Sequence, residues 1–360
     1  MFLEFLYPLV KFFTPLNVFQ YLTFRGAYAA LTTLLLSFVF GPRIIEALRN
    51  LKVRQSIRND GPSTHLAKSG TPTMGGTMII FSTIIAALLW MDLRNEKVWI
   101  TLGSFTAFGA IGFVDDFLKV RRRNSDGLPA WAKLAMQGVV AFAVALVLRK
   151  SGGDEAAALY VPFFKNPALD LGVFWIPFAM LMMAGESNAV NLSDGLDGLA
   201  TGLLILVFVS LAILTYITGR VDYSAYLGIP YIVGAGELTV FCLAAFGACV
   251  GFLWYNSYPA EVIMGDVGSL ALGGAVATVS LIIKKEILIL IIGGVFVLEA
   301  ASVIIQVAVF KLWKKKRFFL MAPLHHHFEV SGWSETKVVV RFWILGGLFA
   351  IIALSTLKIQ

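Results

Sequence analysis

About ten apolar stretches of roughly 18 to 22 residues punctuate the chain, and an α-helix of that length crosses the hydrocarbon core of a bilayer. They centre near Leu34, Ile84, Phe105, Phe142, Phe178, Leu206, Ala245, Ala275, Val297 and Leu348, with glycine-rich patches blurring the edges between 237 and 310. Hydrophobic residues make up 58% of the 360, charged residues only 14%, and the mean hydropathy is +0.81, which excludes a soluble globule. The connections are too short to hold a soluble domain. The prediction is therefore one all-α, polytopic membrane domain over 1–360, with polar loops at about 41–74, 115–130, 186–198, 257–268 and 311–337.

Basic residues crowd alternate connections. Arg43, Arg49, Lys52, Arg54, Arg58 and Lys68 fall in the first loop, Lys119 and Arg121 to Arg123 in the third, and Lys311, Lys314 to Lys316, Arg317 and Lys337 in the ninth. The positive-inside rule turns those loops to the cytoplasm and puts both termini outside. Glu4 stands where a signal peptide would be basic and no small-residue cleavage pattern follows, so residues 1 to 17 are expected to stay attached along the membrane interface. Cys242 and Cys249 lie about two helical turns apart in one span, too far to pair, and read as buried small hydrophobes.

Polar groups are costly near lipid, so acids and amides at span ends point to chemistry. Four clusters do so, all on the side assigned to the cytoplasm: Asp115 with Asp116, the run NAVNLSDGLDG, Asp266 in MGDVGS, and His325 to His327. Asn188, Asn191, Asp194 and Asp197 recur every three residues and share about one face of a helical or turn-like segment. Gly195 and Gly198 allow tight turns and close approach of a ligand. That array suits sugar hydroxyls, a base or a hard cation, and equally a helix cap with a solvated loop. Adjacent helical residues point about 100° apart, so Asp115 and Asp116 have different tasks, one facing a metal or phosphate and the other a neighbouring cation. Asp266 fits either a routine cap or a Mg²⁺ ligand.

Three consecutive histidines cannot all reach one ion from regular structure: they fan apart on a helix, and only His325 and His327 share a side when extended. With Pro323 upstream and basic residues at 314 to 317, the segment reads as a loop contacting phosphate or sugar. A zinc site would need more ligands, and only His65 remains. Between Arg58 and Gly76, Lys68, Thr71 and Thr73 offer donors to phosphate oxygens, although a basic loop also draws anionic lipid.

RNDGP at 58–62, GTPTMGG at 70–76, GFVDD at 112–116, NAVNLSDGLDGLA at 188–200, MGDVGSLALGG at 264–274 and MAPLHHHFE at 321–329 together resemble the bacterial phospho-N-acetylmuramoyl-pentapeptide-transferases, nearly end to end. The wider polyprenyl-phosphate sugar-1-phosphate transferases share the aspartate motifs and usually lack MAPLHHHFE. The resemblance implies a Mg²⁺-dependent enzyme of the bacterial plasma membrane, a homodimer of ten-span protomers among membrane lipids with no nucleic-acid partner. It would move phospho-MurNAc-pentapeptide from UDP to undecaprenyl phosphate, giving lipid I and UMP. The resemblance further implies Asp266 as metal ligand, Asp115 and Asp116 as catalytic acids, His325 in the phosphate chemistry and His326 in the nucleotide-sugar site. Lys68, Thr73, Asn191, Asp194, Gly195, Leu196, Asp197, Asn256 and Gln306 would line the nucleoside and sugar pocket.

Ile263 departs from the family, whose members usually carry an aromatic residue there for stacking on uracil; the loss is about 0.5–1.5 kcal/mol. Ser193 and Phe117 replace commoner Thr and Tyr with little expected consequence. Two anions must meet in such a reaction, so Mg²⁺ and the cations Lys68 and Lys119 are the natural remedies. Direct attack by the lipid phosphate is the expected route, and a two-step path through an aspartyl-phosphate stays open. The other readings are a sister polyprenyl-phosphate HexNAc-1-phosphate transferase, a proton-coupled transporter and a structural scaffold. No inverted repeat supports the transporter, and Glu299, the strong mid-span charge, reads as a helix–helix hydrogen bond.

Overall fold

The computed structural model describes residues 1–51, 70–122, 127–164, 166–312 and 316–358. Among them the helices are α1 (Phe2–Phe5), α2 (Leu22–Asn50), α3 (Gly76–Trp90), α4 (Glu96–Arg122), α5 (Ala130–Ser151), α6 (Trp175–Ser193) and α7 (Leu199–Thr218). They continue as α8 (Val221–Leu227), α9 (Glu237–Asn256), α10 (Gly265–Ile282), α11 (Glu286–Ile292), α12 (Gly294–Leu312), α13 (Leu324–Val330) and α14 (Glu335–Ser355). One antiparallel pair, β1 (Ala158–Leu159) with β2 (Leu169–Asp170), joins α5 to α6. The chain is an all-α, polytopic membrane protein.

All ten predicted centres fall inside helices, and nine helices among the described residues are long and apolar enough to cross a membrane. The tenth, α3, has 15 residues, about 22 Å of rise. It starts late because the chain before it is tied down: Ile263 N–H donates to Pro72, while Gly75 and Gly76 N–H donate to the carbonyls of Ile263 and Met264. The span centred near Val297 is interrupted at Gly293, which separates α11 from α12.

α10 is the hub, with 89% of its apolar window buried against 17% for α5 and 22% for α12. Lipid is as apolar as leucine, so spans associate by close packing of small residues rather than by hydrophobic driving force. The sequence GDVGSLALGGAVATVS supplies them. Gly76 of α3 and Gly112 of α4 lie so near α10 that a β-carbon would stand 2.2 Å from Gly268 N and 2.1 Å from Asp266 O. Cys242 and Cys249 are buried and unpaired, as expected.

Helices extend into three of the segments bounded as polar loops, 115–130, 186–198 and 311–337. α4 runs through Arg122, because Lys119 pairs with Asp115 and Asp116 at i+4 and i+3 and carries the helix past the acids. α6 runs through Ser193, so Asn188 and Asn191 sit in its last turns. The histidines lie on α13 behind Pro323, which takes the N-cap position, and therefore fan apart.

Candidate active site

The ends of α4 and α6 and the starts of α5, α7 and α10 meet at one end of the bundle, and the polar clusters meet there with them. Asp115 and Asp116 come from the last turns of α4, and Asp266 from the first turn of α10. One carboxylate oxygen from each lies within 4.8 Å of those of the other two, and all three residues are buried. Asp266 makes no capping bond. Its side chain turns inward, where Oδ1 accepts from Asn191 Nδ2 at 2.7 Å and Oδ2 from Lys119 and Lys133.

Two ammonium groups hold the three carboxylates together. Lys119 Nζ reaches Asp115 Oδ2 at 2.6 Å, Asp116 Oδ1 at 3.2 Å and Asp266 Oδ2 at 3.1 Å. Lys133 Nζ lies 2.5 Å from Asp266 Oδ2 and 3.9 Å from Asp115 Oδ2. Backbone N–H groups fix the orientation of the acids: Leu128 donates to Asp115 Oδ1 at 2.7 Å and Val267 to Asp116 Oδ2 at 3.2 Å. Asp115 and Asp116 thus share Lys119 but take different backbone donors, one before α5 and the other in α10.

Gly265 opens α10 at φ +74, a conformation that favours glycine. A β-carbon there would stand 2.6 Å from Asp116 Oδ2 and 2.8 Å from Thr73 Oγ1, which places Thr73 beside the cluster. Asp194, just past α6, accepts from Gly265 N–H at 3.2 Å. Burial pushes its carboxyl well above the usual carboxylate range, against the lowering effect of that hydrogen bond. Gly195 lies against His325, with Nε2 2.3 Å from where its β-carbon would be. All four clusters therefore converge, although His325 is fully buried beneath the 194–198 turn.

Other expected site residues serve as struts. Asn256 Oδ1 accepts from Gly198 N–H and Thr201 Oγ1, and its Nδ2 donates to Val262 O. Asp197 accepts from Ala260 N–H while its own N–H donates to Glu335. Leu196 and Ile263 are buried, Gln306 braces Phe318 and Phe319, and His326 pairs with Glu329. Asn188 turns away from the acids to Gln137. Lys68 lies outside the described residues. Asn256→Ala leaves Gly198 N–H and Val262 O unpaired, at about 1–3 kcal/mol for each buried group. The expected result is a lowered thermal midpoint in detergent, larger than that of Gln306→Ala.

Sequence reading missed Lys133. The signal available was its place near the start of a helix, where the dipole disfavours a cation and some nearby anion must hold it.

Buried acids paired with lysines at the end of a helical membrane bundle are the makings of a membrane-embedded transferase, and residues 98–284 match Glycosyl transferase family 4. The chain is 52% identical over 358 residues to a phospho-N-acetylmuramoyl-pentapeptide-transferase of Thermodesulfovibrio yellowstonii, covering 99% of each. Proteins of that name from Desulfosudis oleivorans, 50% identical with 99% of each covered, and Rickettsia africae, 52% identical with 96% of each covered, match similarly. The chain belongs to the phospho-N-acetylmuramoyl-pentapeptide-transferase family.

Proposed function

We propose that this chain transfers phospho-MurNAc-pentapeptide from its UDP carrier to undecaprenyl phosphate, forming lipid I and UMP, at the cytoplasmic face of the bacterial plasma membrane. The observation that carries the reading is the meeting of Asp115, Asp116 and Asp266 with two lysines beside the 194–198 turn. Full-length similarity to relatives bearing that enzyme name supports it. Both termini outside and a homodimeric assembly belong to the same proposal.

The donor set fits Mg²⁺. It consists of hard carboxylate oxygens without thiolate or imidazole, and the three acids exceed the two ammonium groups by one charge. Asp266 would hold the ion, with Asp115 and Asp116 in reach. When bound, Mg²⁺ would neutralise the charge on the sugar-diphosphate oxygens. Lys119 and Lys133 bring fixed positive charge to the two anions that must approach. Leu128 and Val267 N–H keep the Asp115 and Asp116 carboxylates from rotating, a positioning that phosphoryl transfer depends on.

A lipid phosphate monoester has its second pKa at about 6, so at neutral pH it is already mostly dianionic. Its oxygen forms the new bond to the β-phosphorus while the bridging P–O bond breaks and UMP departs with the electron pair. Asp115 orients the nucleophile and Asp116 supports the cation network. Trapping of a phosphorylated chain by the nucleotide sugar without lipid would favour the two-step route instead.

The test is UMP release by purified protein in detergent with undecaprenyl phosphate. The expected result is turnover of UDP-MurNAc-pentapeptide that stops when Mg²⁺ is chelated. Turnover of UDP-GlcNAc alone would move the assignment to the sister reaction, the polyprenyl-phosphate HexNAc-1-phosphate transferases.

A further inference from the structure

α12 carries a fully buried acid, Glu299, in its second turn. A carboxylate inside a membrane bundle is costly without a partner. The ionisable side chain against it is His325 of α13, also fully buried. Glu299 touches His325 twice: Oε1 accepts the His325 backbone N–H at 3.2 Å, and Oε2 lies 3.2 Å from Nδ1. The second contact is close rather than aligned, since neither Nδ1 nor Oε2 completes a hydrogen bond there. On the other side of the ring Nε2 has no partner among the described residues and abuts Gly195. Its neighbour Asp194 accepts from Gly265 N–H, one residue from Asp266. A chain of contacts therefore runs from α12 through His325 and the 194–195 turn to the acidic cluster.

We propose that Glu299 is a positioning residue for the transfer reaction: it holds His325 by its backbone N–H and sets its second carboxylate oxygen against Nδ1, so that Nε2 is the nitrogen facing the Asp194–Gly195 turn. This rests on the transferase reading above. A carboxylate oxygen beside Nδ1 favours the proton on that nitrogen and leaves Nε2, buried against Gly195, as the acceptor facing the turn. A glutamine has one acceptor and one donor. Its oxygen serves the backbone N–H, and its NH₂ then faces Nδ1 and imposes the opposite tautomer.

Glu299→Gln changes neither volume nor helix, yet it is expected to lower kcat for UMP release by about 10- to 100-fold, the usual consequence of removing a partner that orients a site residue. Glu299→Asp keeps both oxygens and recovers part of the rate. The decisive comparison is made in a His325→Gln background, where Glu299→Gln produces no further loss because the ring it orients is absent. Wild-type kcat in Glu299→Gln, or losses that multiply in the double variant, would overturn the inference. A wild-type protein that releases no UMP removes the transferase reading and this inference with it; an active wild type keeps the two separate.

Discussion

Asp266→Ala is expected to lower the rate of UMP release by on the order of 10³-fold, the upper range for losing one preorganised charged contact to a transition state. Asp266 is where the two sources of positive charge meet, Lys119 at 3.1 Å and Lys133 at 2.5 Å from the same oxygen. Its removal takes a metal ligand away and frees both lysines to collapse onto Asp115 and Asp116. The fold survives, because Lys119 retains Asp115 and Asp116, and Asn191 retains Ser269 Oγ at 2.9 Å. UMP release measured beside membrane insertion and the thermal midpoint separates the two effects. Undiminished turnover would remove Asp266 from the reaction.

Gly112→Ala is the second large effect, and it touches no charge. The added carbon would stand 2.1 Å from Asp266 O, 2.4 Å from Asp266 C and 2.6 Å from Val267 N, all backbone atoms of α10. Backbone cannot swing aside like a side chain, so α4 and α10 must part. Overpacking costs about 1–3 kcal/mol, and a shift of about 1 Å at a reacting centre costs about 10²-fold in rate. Gly103→Ala is the control on the same helix: nothing lies within 4 Å of its added carbon, and alanine favours the helix by about 1 kcal/mol. The expected outcome is a slow, less stable Gly112→Ala enzyme beside an unaffected Gly103→Ala enzyme. Equal activity of the two would show that the α4–α10 approach does not set the cluster.

The spans were legible because hydropathy acts over whole helices, and every predicted centre fell within one. The acids were legible because a carboxylate beside lipid is conspicuous. What holds them was not. Lys133 is one cation at the head of the apolar run AWAKLAMQ, and nothing in its spacing ties it to a carboxylate 133 residues later. Asn256 sits in the expected region, yet its three hydrogen bonds are spent inside the protein, which only coordinates reveal. Glu299 stands out in the sequence as a mid-span charge suited to a helix–helix bond; its partner, His325, comes from a short helix 26 positions on. The extension of α4 past its acids follows from i, i+3 and i, i+4 pairing, a local signal that the expectation of a polar loop overrode.

Binding of Mn²⁺, an electron-paramagnetic stand-in for Mg²⁺, tests the account most directly because it reads the acidic cluster without requiring turnover. Titration of the purified protein, followed by the loss of the free-ion signal, is predicted to show one tight site per chain in the wild type and none in Asp266→Ala. Equal binding by both proteins would contradict the account, since the ion would then be held somewhere other than where α4 meets α10.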